Sequence, residues 1–152
     1  MSLHQQITSD LSAAMKARDK ARTSALRMLV SALKNQAIAD GKGPQGTLDD
    51  DEVERILASE VKRRREAAAA FREAGRTESA EAEEAEVVVY ESYLPEQLAD
   101  EELAGLVDEA IAEVGAQDVK QMGQVMKTLM PRVQGRADGS RVSALVKQRL
   151  DG

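Results

Sequence analysis

Cysteine is absent from the 152 residues, which excludes disulfides, thiolate metal sites and a cysteine nucleophile. Histidine occurs once, as His4, in a terminal stretch expected to fray. A histidine-based triad and a histidine metal cluster are therefore excluded too. Tryptophan is missing, and one Phe and two Tyr are the only aromatics, so the core must be built from Leu, Val, Ile, Met and Ala. That palette suits helices packing on helices. There is no apolar run of about 18 residues to span a bilayer. The N-terminal stretch is polar and broken by Asp10, without the apolar centre of a signal peptide, so a soluble cytoplasmic protein is expected.

Acid and base are unevenly spread, and the net charge of −6 conceals it. Residues 1–43 carry seven basic and three acidic side chains, whereas residues 44–91 carry seven basic against fourteen acidic. From Ser92 to Asp118 there are eight acids and no base; from Val119 to Leu150 there are seven bases and one acid, Asp138. The overall charge argues against indiscriminate nucleic-acid binding, yet two basic segments flank an acidic middle.

Apolar residues at helical spacing predict seven helices. Leu3, Ile7, Leu11 and Met15 mark the first, over Leu3–Lys16. Asp19 caps a second that ends at Gly41, with Leu26, Leu29, Val30, Leu33, Ala37 and Ile38 inward. Arg18, Lys20, Arg22, Arg27 and Lys34 lie largely off that stripe and read either as a solvated face or as a platform for phosphate. The Gly41–Gly46 loop contains lysine, but no strand precedes it and the phosphate-loop spacing is missing, so it is a connector. Thr47 and Asp50 form a capping box for a third helix that buries Val53, Ile56, Leu57, Val61, Ala68 and Phe71 and ends at Gly75. The run Lys62-Arg63-Arg64-Arg65 sits among glutamates and wraps most of the helix, which favours ion pairing over one ligand. Thr77 caps a glutamate-rich fourth helix; its carboxylates lack the histidines of a helical di-metal site. Pro95 marks a boundary between residues 1–94 and 95–152. Asp100 or Ala99 starts a fifth helix that Gly115 closes.

The most unusual stretch is Lys120–Gly139. Asp118 and Gln121 form a capping box for a sixth helix, in which Met122, Val125, Met126, Leu129, Met130 and Val133 make one apolar stripe. Gly123 interrupts it at a cost of about 1 kcal/mol against alanine, so either a helix packs closely there or an RNA backbone approaches. Pro131 should end or kink the helix near Met130. The turn Gly135-Arg136-Ala137-Asp138-Gly139 offers flexible glycines and backbone N–H groups, with Asp138 or Ser140 capping a seventh helix. Lys120, Lys127, Arg132, Arg136, Arg141, Lys147 and Arg149 surround the turn. Together with Gly123, Gly135 and Gly139 they form a candidate footprint on RNA phosphates, without aromatics to stack on bases.

Met122-Gly123-Gln124-Val125-Met126, Met130-Pro131 and Gly135–Gly139 resemble the helical tail domain shared by GatB and YqeY proteins. Leu26-Arg27-Met28-Leu29, Glu60–Arg64 and Tyr93–Leu98 resemble the YqeY N-terminal region, so the similarity spans essentially the whole chain. Ala99 departs from it where a serine cap is expected. The resemblance implies an all-α fold in two helical subdomains: an N-terminal bundle and a small three-helix tail. It also links the tail to the glutamine-dependent amidotransferase acting on Glu-tRNA or Asp-tRNA, whose tail domain helps hold the tRNA. A tRNA- or RNA-binding accessory protein is the expectation, with amidotransferase subunits as the alternative partners of a helical adaptor. The family-implied activity, a carbon–nitrogen ligase with glutamine as amide donor, would need an activated nucleophile; there is no cysteine and no histidine beyond His4, and the serine–lysine alternative, Ser31 with Lys34, has no strained, glycine-rich setting. No catalytic residue, metal or cofactor is expected.

Overall fold

The fold follows from how each helix is capped and which face it buries. The computed structural model describes residues 1–151, which are all-helical: α1 (Leu3–Lys16), α2 (Lys20–Ala39), α3 (Asp50–Glu73), α4 (Thr77–Glu91), α5 (Asp100–Val114), α6 (Met122–Val133) and α7 (Gly139–Asp151), with no strand among the described residues. They form two compact units, Met1–Leu94 and Pro95–Gly152.

In the first unit, α1 is not frayed. The Ser2 hydroxyl accepts from Gln5 N–H while the Gln5 side chain accepts from Ser2 N–H, a reciprocal cap. His4 is likewise ordered, its Nδ1 accepting the Leu48 N–H at 3.0 Å. Ile7 and Ala14 point into the core and Met15, expected there, is 48% exposed. Ala14 lies two full turns from Ile7 on the same face, and one residue further the helix has turned outward. The α1–α2 corner is a tight reversal in which Arg18 takes a left-handed conformation, φ 58°, with Asp19 N–H bonded to Ala14 O. This is the position a glycine usually fills. Asp19 then caps α2 by accepting from Arg22 N–H.

Leu26, Leu29, Leu33 and Ala37 are buried as expected, and Ala25 joins them; Ile38 is 53% exposed, because by the last turn the inward position has passed to Ala37. The box expected at Thr47 and Asp50 forms differently. Leu48 is buried and tied to His4, so the chain stays extended to that point and Asp49 becomes the cap, accepting from Glu52 N–H. Asp50 instead accepts the Leu3 N–H. α3 and α4 pack against each other, and the small Ala68 and Ala80 are buried. Thr77 does not cap α4. The α3 terminus uses Gly75 (φ 75°) and returns Arg76 N–H to Phe71 O, so Thr77 is already helical and Arg76 occupies the cap position without a side-chain bond.

The Lys62–Arg65 run is absorbed by the fold, as its glutamate setting suggested, although several partners lie on α4. Arg64 pairs with Glu60, Glu83 and Glu86, and Arg65 with Glu91. Further along, Arg72 forks onto Glu84 at 2.8 and 2.9 Å. Tyr90 is fully buried, with its hydroxyl donating to Ala25 O at 2.8 Å.

In the second unit, Leu98 and inward residues of α5, α6 and α7 make one core, centred on Leu103, Val107, Val125, Leu129, Val142 and Val146. α5 starts after Ala99, which makes no side-chain cap, and ends at Gly115 (φ 71°). Asp118 accepts from Lys120 N–H, but the turn it opens is a short 3-10 segment, Val119–Gln121, ahead of α6. Gln121 accepts from Gln117 N–H, so the expected box is open on its second side. Pro131 does not end α6, which continues to Val133. The proline is exposed in the last turn, and Gln134 N–H still reaches Met130 O. Val133 is thereby carried into the core.

Candidate nucleic-acid interface

The Gly135–Gly139 turn is docked rather than open. Gly135 is buried with φ 75°, and its carbonyl accepts from the Gln97 amide at 2.8 Å. The Arg136 carbonyl accepts from Leu98 N–H at 2.8 Å, and its guanidinium Nε donates to Glu96 O at 3.1 Å. The turn and the Glu96–Leu98 segment thus hold each other through three bonds. Gln97 lies within the Tyr93–Leu98 stretch, but a glutamine two residues after Pro95 gives no signal of a tertiary bond. Asp138 caps α7, its carboxylate accepting from Ser140 N–H and its carbonyl from Val142 N–H. The positive end of α7 already faces a carboxylate, and an incoming phosphate would meet that charge.

The arginines of the proposed ring are committed to the fold. Arg132 Nη2 donates to both Glu113 oxygens, at 2.9 and 2.7 Å, and that carboxylate pushes the guanidinium further above its ordinary pKa. Arg141 donates to Leu98 O at 3.2 Å and pairs with Asp100, while Arg149 pairs with Asp108 at 3.6 Å. Arg136 lies in a shallow cleft with Glu101, Glu102 and Glu109, a poor seat for an anion. The charge segregation of the sequence is therefore partly internal: acids of the α5 segment face bases of α6 and α7. Guanidinium groups, with several donors each, take these partners, and the lysines are left over.

Lys120, Lys127 and Lys147 are exposed and make no ion pair among the described residues. Lys127 shares the outer side of α6 with Gly123, Gln124 and Pro131, opposite Val125, Leu129 and Val133; Lys120 stands in the short turn that leads into that side. Gly123 is the second residue of α6, not a mid-helix residue, and it is exposed. A Cβ built there meets nothing within 4 Å. Close helix packing is thus not what the glycine serves. The methionines flanking it, Met122, Met126 and Met130, are partly buried against the core rather than lining a free groove. Gly139 is exposed at the start of α7, also with open space beyond it.

Residues 4–150 match the sequence family described as Yqey-like protein. The chain belongs to the YqeY-like family. No curated protein matches it. In this YqeY-like chain no group of His, Asp or Glu among the described residues is arranged to hold a metal ion, and no described helix is long and apolar enough to cross a membrane.

Proposed function

We propose that this YqeY-like protein binds tRNA or another structured RNA as an accessory factor, related to the tail domain of glutamine-dependent tRNA amidotransferase. The observation that carries the reading is the outer side of α6. There Lys127 stands unpaired beside a glycine with open space above it, with unpaired Lys120 in the turn before. Cations free of internal partners can neutralise phosphates, and a missing side chain lets a sugar–phosphate backbone come close to the helix. Lys147 adds a third free charge on α7. Gly135, Arg132, Arg136 and Arg141 serve this surface indirectly, by fixing the turn and joining α5, α6 and α7. Gly139 leaves the α7 entrance uncrowded.

Filter binding of the full chain to deacylated tRNA over a range of salt tests the reading. Lys120→Gln with Lys127→Gln should lower affinity and reduce the log–log salt slope by about two, one per phosphate contact. Binding that ignores salt, or a double variant indistinguishable from the parent, refutes it.

An adaptor for amidotransferase subunits is the second reading. Its support is Val88, 70% exposed on α4, with Ala82 and Ala85 also exposed on that helix. Ligase chemistry of the chain's own has little to work with, since its one histidine is spent on Leu48 N–H.

A further inference from the structure

Helix α2 contains no aspartate or glutamate in its 20 residues. Its outward side runs Lys20, Ser24, Arg27, Ser31, Lys34, and all five are exposed. Their spacing of four, three, four and three keeps them within an arc of about 80° on a helix of 3.6 residues per turn. The buried Ala25, Leu26, Leu29, Leu33 and Ala37 lie on the opposite arc. Lys20, Arg27 and Lys34 form no ion pair or side-chain hydrogen bond among the described residues. This contrasts with α3, where Arg63, Arg64, Arg65 and Arg72 all have carboxylate partners. The cations stand two helical turns apart, so the ladder is straight and roughly 21 Å long at 1.5 Å rise per residue. Lys16 and Arg18, near the α1–α2 corner, are also exposed and unpaired.

In a chain of net charge −6, a helix face of unpaired cations separated by hydroxyls implies an anionic partner. We infer that the outer face of α2 is a second polyanion surface, in the N-terminal unit, that tracks the phosphate backbone of duplex RNA. Lysine and arginine neutralise phosphates, and the serine hydroxyls between them donate to phosphate oxygens. Base stacking has no part in it. Tyr90 is buried, the Tyr93 hydroxyl donates to Asp10, and the Phe71 ring lies under Arg76. Without an exposed aromatic platform the surface reads shape and charge, which favours a duplex over a single strand. Met28 and Ile38 are the only large hydrophobic side chains exposed on α2, too little for insertion into a lipid interface.

The test uses the full chain and a blunt RNA duplex of about 16 base pairs, the span of a double-stranded-RNA module. The variant carries Lys20→Gln, Arg27→Gln and Lys34→Gln together. It should keep the parent's melting temperature, because none of the three is paired, and should lower the salt slope by about three. An unchanged slope and affinity overturns the inference. So does preference for the single strand, or binding to phosphatidylserine vesicles in place of the duplex. Lys120→Gln with Lys127→Gln, measured alongside, keeps the two surfaces apart: loss of binding in that variant alone removes the α2 surface and leaves the α6 reading intact. Loss in the α2 variant alone does the reverse.

Discussion

Replacing Gly123 with alanine separates stability from binding, because the two should move in opposite directions. A glycine in a helix costs stability against alanine by about 1 kcal/mol in the interior, and by roughly half that in the first turn, where Gly123 sits. The added methyl group meets nothing within 4 Å, so no steric term opposes the gain. Gly123→Ala should therefore stabilise the tail by about 0.5 kcal/mol, or roughly 1–2 °C in Tm for a chain of this length. A rise in urea midpoint at constant slope would show the same gain without a change in the surface exposed on unfolding. If an RNA backbone approaches the helix at this residue, the methyl group holds it away. Tightness should then fall about tenfold, near 1.4 kcal/mol, the scale of one weakened charge-assisted contact. Gly105→Ala is the control. Gly105 lies in mid α5, also with open space around it, but beside Glu101, Glu102 and Glu109. It should stabilise by about 1 kcal/mol and leave tRNA binding unchanged. A lower Tm for Gly123→Ala would refute the open-space argument; a higher Tm with unchanged tRNA affinity would refute the backbone approach.

Arg18 holds φ 58° at a position suited to glycine, so Arg18→Gly should stabilise the fold by about 0.5–1 kcal/mol, read as a higher urea midpoint, despite glycine's greater freedom when unfolded. Tyr90→Phe removes a buried hydroxyl from Ala25 O, a carbonyl inside α2, and should cost about 1 kcal/mol in chemical denaturation. The His4 ring accepts the Leu48 N–H and burial lowers its pKa below the ordinary 6.5. The unfolded chain therefore binds the proton more readily, and the stabilisation is complete above pH 6.5 and lost as pH falls through the folded value. Unfolding curves between pH 7.5 and 5 should show this loss, and His4→Phe should flatten that part of the profile.

Helix number and most buried faces could be read from the sequence because apolar periodicity is a local property. Val125, Leu129 and Val133, or Leu26, Leu29 and Leu33, announce themselves. Caps were less legible where tertiary bonds decide them. Asp49 replaced Thr47 because Leu48 had first to be buried against His4, a contact 44 residues away in sequence. The basic tail was legible as composition but not as pairing. Whether a cation is free depends on which carboxylate faces it, and Glu113, Asp100 and Asp108 claim Arg132, Arg141 and Arg149. Gly123 was read at the wrong helix position, since the 3-10 turn that delays α6 has no clear mark of its own.

The central claim is that the lysines of the α6 side meet RNA phosphates, and lysine-reactivity footprinting tests it most directly. The full chain would be acetylated with and without saturating deacylated tRNA, and each lysine quantified by mass spectrometry. Protection of Lys120 and Lys127, reversed by raising the salt, is the result the account predicts. Saturable tRNA binding that leaves both lysines as reactive as in the free protein would contradict it.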